Sequence, residues 1–143
     1  MTPKERAAAA AKAMWTDDGA SKWLGMTLIE VDEGYAVMQL TVKQHHCNGH
    51  GMCHGGITFS LADSCFAFAC NSRNQATVAQ HNTISYTAPG RMGDTLRAEA
   101  REVSLAGRSG IYDVRVSNQH NQTIAEFRGL SRVISGTLFD EED

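Results

Sequence analysis

The sequence predicts an α+β fold in which a curved, largely antiparallel sheet wraps around one long apolar helix. Three observations carry this. The segment His54 to Ser72 (HGGITFSLADSCFAFACNS) is too long and too weakly alternating for a strand. Its apolar residues fall on every side, so as a helix it has to be enclosed by its surroundings. Residues 94–103 (DTLRAEAREV) set Leu96, Ala98 and Ala100 in alternation with Thr95, Arg97, Glu99 and Arg101, the pattern of a strand with one wet face. Further β-favouring runs joined by short connections complete about six strands, which such connections make antiparallel.

In chain order, residues 4–15 (KERAAAAAKAMW) are dominated by the strongest helix former and predict a short helix docked by its last turn, Met14 and Trp15. Asp17-Asp18-Gly19 ends it. The runs 26–31 (MTLIEV) and 35–42 (YAVMQLTV) flank Asp32-Glu33-Gly34 and read as a hairpin. Beyond the apolar helix, strands are expected at 77–87, 94–103, 110–117 and 122–134. Pro89-Gly90 with Gly93, Ala106-Gly107-Arg108 and Asn118 to Asn121 punctuate them. No repeat or linker interrupts the chain, so residues 1–143 read as one domain. The tail Asp140-Glu141-Glu142-Asp143 is expected to be a solvated, frayed end.

At 143 residues, 42% hydrophobic and 20% charged, the chain can build an ordinary core without covalent staples, so its four Cys do not imply a disulfide framework. Thirteen Lys and Arg against sixteen Asp and Glu give a net charge of -3. That balance offers no basic footprint for nucleic acid or an anionic membrane, and a small partner is expected. No apolar run approaches the roughly 18–20 residues of a membrane span. Lys4 and Arg6 precede Ala7 to Ala11, but this run is shorter than the ~7–15 residues of a signal h-region, and Lys12 interrupts it. A cytoplasmic protein with reduced thiols is the expectation.

Asp63 is the most informative residue. It lies in the middle of the apolar helix with only small hydroxyls nearby, where burial raises a carboxyl pKa, and perturbed acids cluster at functional sites. A structural Asp bonded to a strand or facing a partner chain fits the same pattern. At the head of the helix, His54-Gly55-Gly56 allows close approach to first-turn N–H groups that carry partial positive charge, the geometry of an oxyanion site. A plain tight turn into a helix fits it equally. Gly55 and Asp63 are eight residues apart (63 − 55), about 12 Å along a helix at ~1.5 Å per residue. Both cannot reach one carbonyl carbon within a single chain. They are either unrelated or brought together by a symmetric dimer with two shared sites.

His45, His46, Cys47, His50, Cys53 and His54 form a rival cluster, in which Cys47-x-x-His50-x-x-Cys53 has ligand-like spacing for zinc. Structural zinc sites draw on two ligand pairs far apart in sequence, and only one cluster is present. Cys53 beside His54 raises nucleophilic catalysis, but adjacent residues on an extended chain point apart, and Cys53, Cys65 and Cys70 read as small buried hydrophobes. No G-x-S-x-G elbow, P-loop or dinucleotide fingerprint is present, and no cofactor is expected.

Asn48-Gly49-His50, His54-Gly55-Gly56, FSLADSCFAFACNS (59–72) and FRGLSRVISGT (127–137) together resemble the hotdog-fold acyl-CoA thioesterases of the phenylacetic-acid degradation (PaaI) type. The resemblance runs from about residue 14 to the end. It implies the wrapped-helix fold, a homotetramer built as a dimer of dimers, and active sites at dimer interfaces. It further implies Asp63 as general base or nucleophile and Gly55 as the donor that polarises the thioester carbonyl from the opposite subunit. Asn48 and His54 match positions that orient water and thioester. Gly107-Arg108-Ser109 matches a turn near the CoA nucleotide, where Arg108 would pair with a phosphate; an exposed turn arginine is the plain alternative. Some relatives assist the acid with a Ser or Thr on the next strand, a position the sequence leaves open between Ala79, His81 and Thr83. The implied reaction is hydrolysis of phenylacetyl-CoA or its ring-hydroxylated derivatives. A non-hydrolytic acyl-CoA-binding or zinc-binding protein using the 45–54 cluster is the alternative.

Overall fold

Thr2 and Glu5 open the chain with a capping box, each side chain accepting from the other's backbone amide, and Pro3 occupies the first helical turn. The helix so nucleated, α1, runs Pro3–Thr16. The computed structural model describes residues 1–142. The alanines of α1 do more than favour helix: Ala7, Ala10 and Ala11 are buried, so the helix docks along its length rather than by its last turn alone. Asp17-Asp18-Gly19 does not lead into a loop. Asp18 accepts from the Ser21 amide at 2.9 Å and the Ser21 hydroxyl at 2.7 Å, capping a second helix, α2 (Gly19–Leu24). Gly25, at φ +85°, ends α2 in the left-handed conformation that glycine adopts at no steric cost.

Six strands follow in one antiparallel sheet: β1 (Thr27–Asp32), β2 (Tyr35–Thr41), β3 (Thr77–Tyr86), β4 (Thr95–Ala106), β5 (Ser109–Ser117) and β6 (Thr123–Val133). Their spatial order is β1-β2-β4-β5-β6-β3. The apolar segment forms α3, Gly55–Cys70, inserted in sequence between β2 and β3. This is the hotdog arrangement implied by the resemblance. The register explains how the sheet accepts the helix. Ala36 of β2 opposes Ala100 of β4, Ala100 opposes Val114 of β5, and Val114 opposes Phe127 of β6, all inward and all buried. The small residues at mid-sheet let α3 approach closely, and the Cys65 thiol reaches the Ala36 and Ala98 carbonyl oxygens at 3.2 and 3.4 Å. Where Tyr112 opposes Gly129, the Phe66 ring fills the space a Gly129 side chain would take.

The acidic tail is exposed over residues 140–142 and is tied at Glu141. Arg6 donates to both carboxylate oxygens of Glu141 at 2.9, 3.1 and 2.7 Å, and Asn74 bonds the backbone at Leu138 and Phe139. Position 143 of the expected frayed end lies outside the described residues. No helix among the described residues is long and apolar enough to cross a membrane.

Candidate active site

Asp63 emerges from the middle of α3 toward β3 and is half-buried. Removal from water raises its carboxyl above the usual carboxylate range, and a hydrogen bond from Asn82 offsets part of that rise. The bond runs from Asn82 Nδ2 to Asp63 Oδ1 at 3.1 Å. Asn82, a residue the sequence reading missed, is therefore the residue of the next strand bonded to Asp63, and none of Ala79, His81 and Thr83 is. The reason is a bulge. Ala79 opposes Ser131 and Asn82 opposes Gly129, with the register slipping between Ala79 and His81. The extra residue reverses the parity of the strand, so the face that Ala79 shares with Ser131 before the bulge passes to Asn82 and Ile84 after it; Asn82 and Ile84 are part-buried, while Ala79, His81 and Thr83 are exposed. Ile84 beside Asn82 in a period-two pattern was the available signal.

At the head of α3, His54 is the N-cap, and its Nδ1 accepts from the Gly56 amide at 2.9 Å. A ring nitrogen that accepts carries no proton of its own, which leaves Nε2 as the ring's donor. Ile57 and Thr58 donate to the His54 carbonyl. Among the described residues nothing accepts from the Gly55 amide, leaving a first-turn donor at the positive end of the helix. Tyr86 donates its hydroxyl to the Gly55 carbonyl at 2.9 Å and stands beside the turn.

Gly55, Asn48, Cys53, Thr58 and Tyr86 line a cleft of about 400 Å³, roofed by Ala88 to Gly90. Asn48 shapes its own loop: its Oδ1 accepts from the His50 amide at 2.9 Å and the Met52 amide at 3.2 Å. Asp63 is not part of this cleft. One chain thus brings Asn48 and Gly55 together, sets the exposed His54 beside them, and holds Asp63 apart, as the eight-residue spacing requires. The Gly107-Arg108-Ser109 turn joins β4 to β5 and borders a small cleft with Cys70, the last residue of α3. It therefore lies at the opposite end of α3 from Gly55. Arg108 is exposed, and its carbonyl accepts from the Val133 amide at 2.8 Å.

The His/Cys cluster does not gather into a ligand set. His46 is buried with both ring nitrogens engaged, Nδ1 accepting from the Lys43 amide at 3.0 Å and Nε2 donating to the Leu24 carbonyl at 2.7 Å. It ties the turn after β2 to the end of α2. His45, His50 and His54 are exposed. Among the described residues no three His, Cys, Asp or Glu side chains are grouped to hold a metal ion.

Residues 50–125 match the Thioesterase superfamily. The chain is 47% identical over 131 residues to the acyl-coenzyme A thioesterase PaaI of Escherichia coli (strain K12), covering 92% of this chain and 94% of that one. The solved structure of the E. coli PaaI protein from the phenylacetic acid degradation operon superposes with a TM-score of 0.93 at 45% identity, over 95% of this chain and 99% of that one. A Streptococcus mutans UA159 protein solved with acetyl CoA bound gives a TM-score of 0.75 at 26% identity, over 79% of this chain and 90% of that one.

Proposed function

The chain belongs to the thioesterase superfamily, and on that premise we propose that it hydrolyses acyl-CoA thioesters, with phenylacetyl-CoA or a ring-hydroxylated phenylacetyl-CoA as substrate. The likeness to E. coli PaaI and to a protein solved with acetyl CoA supports the CoA ester. The operon of the E. coli relative supports the arylacetyl group.

One observation carries the mechanism. The unclaimed Gly55 amide opens into a cleft that lacks Asp63, so each chain supplies half of each of two sites. Strand β3 is the surface for the meeting. It is a free sheet edge, exposed along most of its length, with Val78 at 45% and Tyr86 at 52% relative exposure. Two β3 edges paired across a two-fold axis run antiparallel, and so do the two α3 helices behind them. One chain's Gly55 turn then approaches its partner's Asp63.

In that site Gly55 N–H donates to the thioester carbonyl oxygen and stabilises the charge that develops there as the carbon becomes tetrahedral. Asp63, with one oxygen held by Asn82, acts on the carbonyl carbon as general base on water or as nucleophile. Asn48 Nδ2 and His54 Nε2–H are the remaining donors for water and thioester. Arg108 takes a CoA phosphate, and the dimers pair into a tetramer.

Thiol release from a panel of acyl-CoA esters, with and without chelator, tests this reading. The expected result is release unaffected by chelator, fastest with arylacetyl esters and lost in Asp63→Asn. Binding without thiol release would mark a non-hydrolytic acyl-CoA-binding protein, and loss of activity to chelator would mark metal chemistry.

A further inference from the structure

Cys47 and Cys53 take no part in the chemistry proposed above, yet the fold sets them face to face. The Asn48 amide donates to the Met52 carbonyl at 2.7 Å, and the His54 amide donates to the His46 carbonyl at 2.8 Å. These bonds flank the isolated antiparallel bridge between Cys47 and Cys53, which makes the two cysteines a non-hydrogen-bonded pair. In such a pair the Cα atoms lie about 4.5 Å apart and both side chains leave the ribbon on the same side. A disulfide needs Cα atoms about 4.4–6.8 Å apart. Both thiols are free: the Cys47 sulfur lies 3.5 Å from the Lys43 carbonyl, and the Cys53 sulfur lies 3.7 Å from the Thr58 hydroxyl. A turn about each Cα–Cβ bond releases both toward one another.

Cys65 and Cys70 are buried on α3, where burial pushes each thiol up to about 12, and Cys53 is buried as well, its thiol raised in the same direction. Cys47 is the part-exposed member of the four, and thiolate character and access decide which cysteine reacts. The loop between Cys47 and Cys53 carries Asn48 and leads directly into His54 and Gly55.

We infer that Cys47 and Cys53 form a reversible disulfide by exchange with a low-molecular-weight disulfide such as oxidised glutathione, closing the base of the loop that carries Asn48. The Cys47 thiolate attacks one sulfur of the small disulfide, breaks its S–S bond and expels a thiolate. The Cys53 thiolate then attacks the Cys47 sulfur of the mixed disulfide and expels the second small thiolate. Two protein thiols are oxidised and one small disulfide is reduced. The two protons leave with the two small thiols. This assignment stands whether or not the chain hydrolyses thioesters.

The test equilibrates the intact protein in buffers of graded reduced and oxidised glutathione, quenches with acid and alkylates the unfolded chain. Alkylated thiols should fall from the four in the sequence to two, with about 2 Da lost for the two hydrogens removed. All four cysteines share the tryptic peptide 44–73, so cleavage with cyanogen bromide after Met52 locates the bond. Fragments 39–52 and 53–92 should stay joined until reduced, also in a chain carrying Cys65→Ser and Cys70→Ser, and should separate in Cys47→Ser. Four free thiols at every glutathione ratio would overturn the inference. So would a covalent dimer linked through Cys47, or a lasting glutathione adduct at Cys47 with no bridge.

Discussion

Asn82 meets Asp63 across the gap between β3 and α3: its Nδ2 donates to Asp63 Oδ1 at 3.1 Å, while its own Oδ1 is buried with no partner among the described residues. The amide therefore spends its donor on the carboxylate and leaves an acceptor unsatisfied. A hydrogen bond to the charged form favours ionisation, whereas burial disfavours it. Asp63 is held between the two, with burial the larger effect.

Asp63→Asn should lower turnover by about 10²–10⁴, the scale of general-base loss, and yet raise the melting temperature at neutral pH. The sign follows from linkage. The folded carboxyl pKa is raised above its unfolded value, so the ionised form destabilises the fold at pH values above the folded pKa, and that penalty vanishes below the unfolded one. The thermal advantage of the variant should therefore shrink as pH falls through the carboxylate range. Paired melts at neutral and acidic pH, run beside the kinetics, measure it; an unchanged or lower melting temperature at neutral pH contradicts the assignment of a buried, costly charge.

Asn82→Ala removes the bond that favours the carboxylate and should raise the Asp63 pKa further. A base works deprotonated, so the acidic limb of the kcat/KM profile should move to higher pH in the variant, with less change at alkaline pH. A purely structural Asn82 would lower the profile evenly without moving its limb.

Gly55→Pro deletes the amide donor and should cost about 2.7–4 kcal/mol in the barrier, with turnover falling more than substrate affinity. Pro is tolerated in a first helical turn, and circular dichroism checks that α3 survives. Gly55→Ala is the control that keeps the donor. Its Cβ would meet the Tyr86 ring at 3.2 Å, and Tyr86 is exposed enough to give way. Its turnover should stay well above that of Gly55→Pro.

Complementation checks the shared site. Mixing Asp63→Asn chains with Gly55→Pro chains, each inactive alone, should restore activity in hybrid dimers, because one of the two sites then keeps both intact groups. Verified subunit exchange without recovery would put both defects in the same chain's site.

Gly129→Ala should destabilise the fold by about 1–3 kcal/mol or more, since overpacking a filled core forces backbone or side chains aside. A Cβ there would lie 2.7 Å from the Phe66 ring, which packs edge-on against Tyr112 and beside Phe127. Chemical denaturation gives the value, and a shift within error would mean that Phe66 has room to move.

The sequence by itself determined what periodicity and local chemistry encode. Alternation at Leu96, Ala98 and Ala100 fixed which face of β4 is buried, and the all-round apolar run ending at Cys70 fixed the enclosed helix. The spacing of Gly55 and Asp63 already separated them by two helical turns. Signals confined to a few residues were weaker: α2 is only six residues long, too short for a period to show, although Asp18 and Gly25 are its caps. What the tertiary structure alone decided are pairings between residues far apart in the chain. Arg6 holds Glu141, His46 spends both ring nitrogens on backbone, and Asn82 rather than His81 or Thr83 reaches Asp63. The last of these turns on one extra residue in β3. A side chain's face alternates with a period of two, so a bulge leaves the composition of the strand unchanged while exchanging its inner and outer sides. Only the register against β6 reveals on which side of the bulge each residue lies.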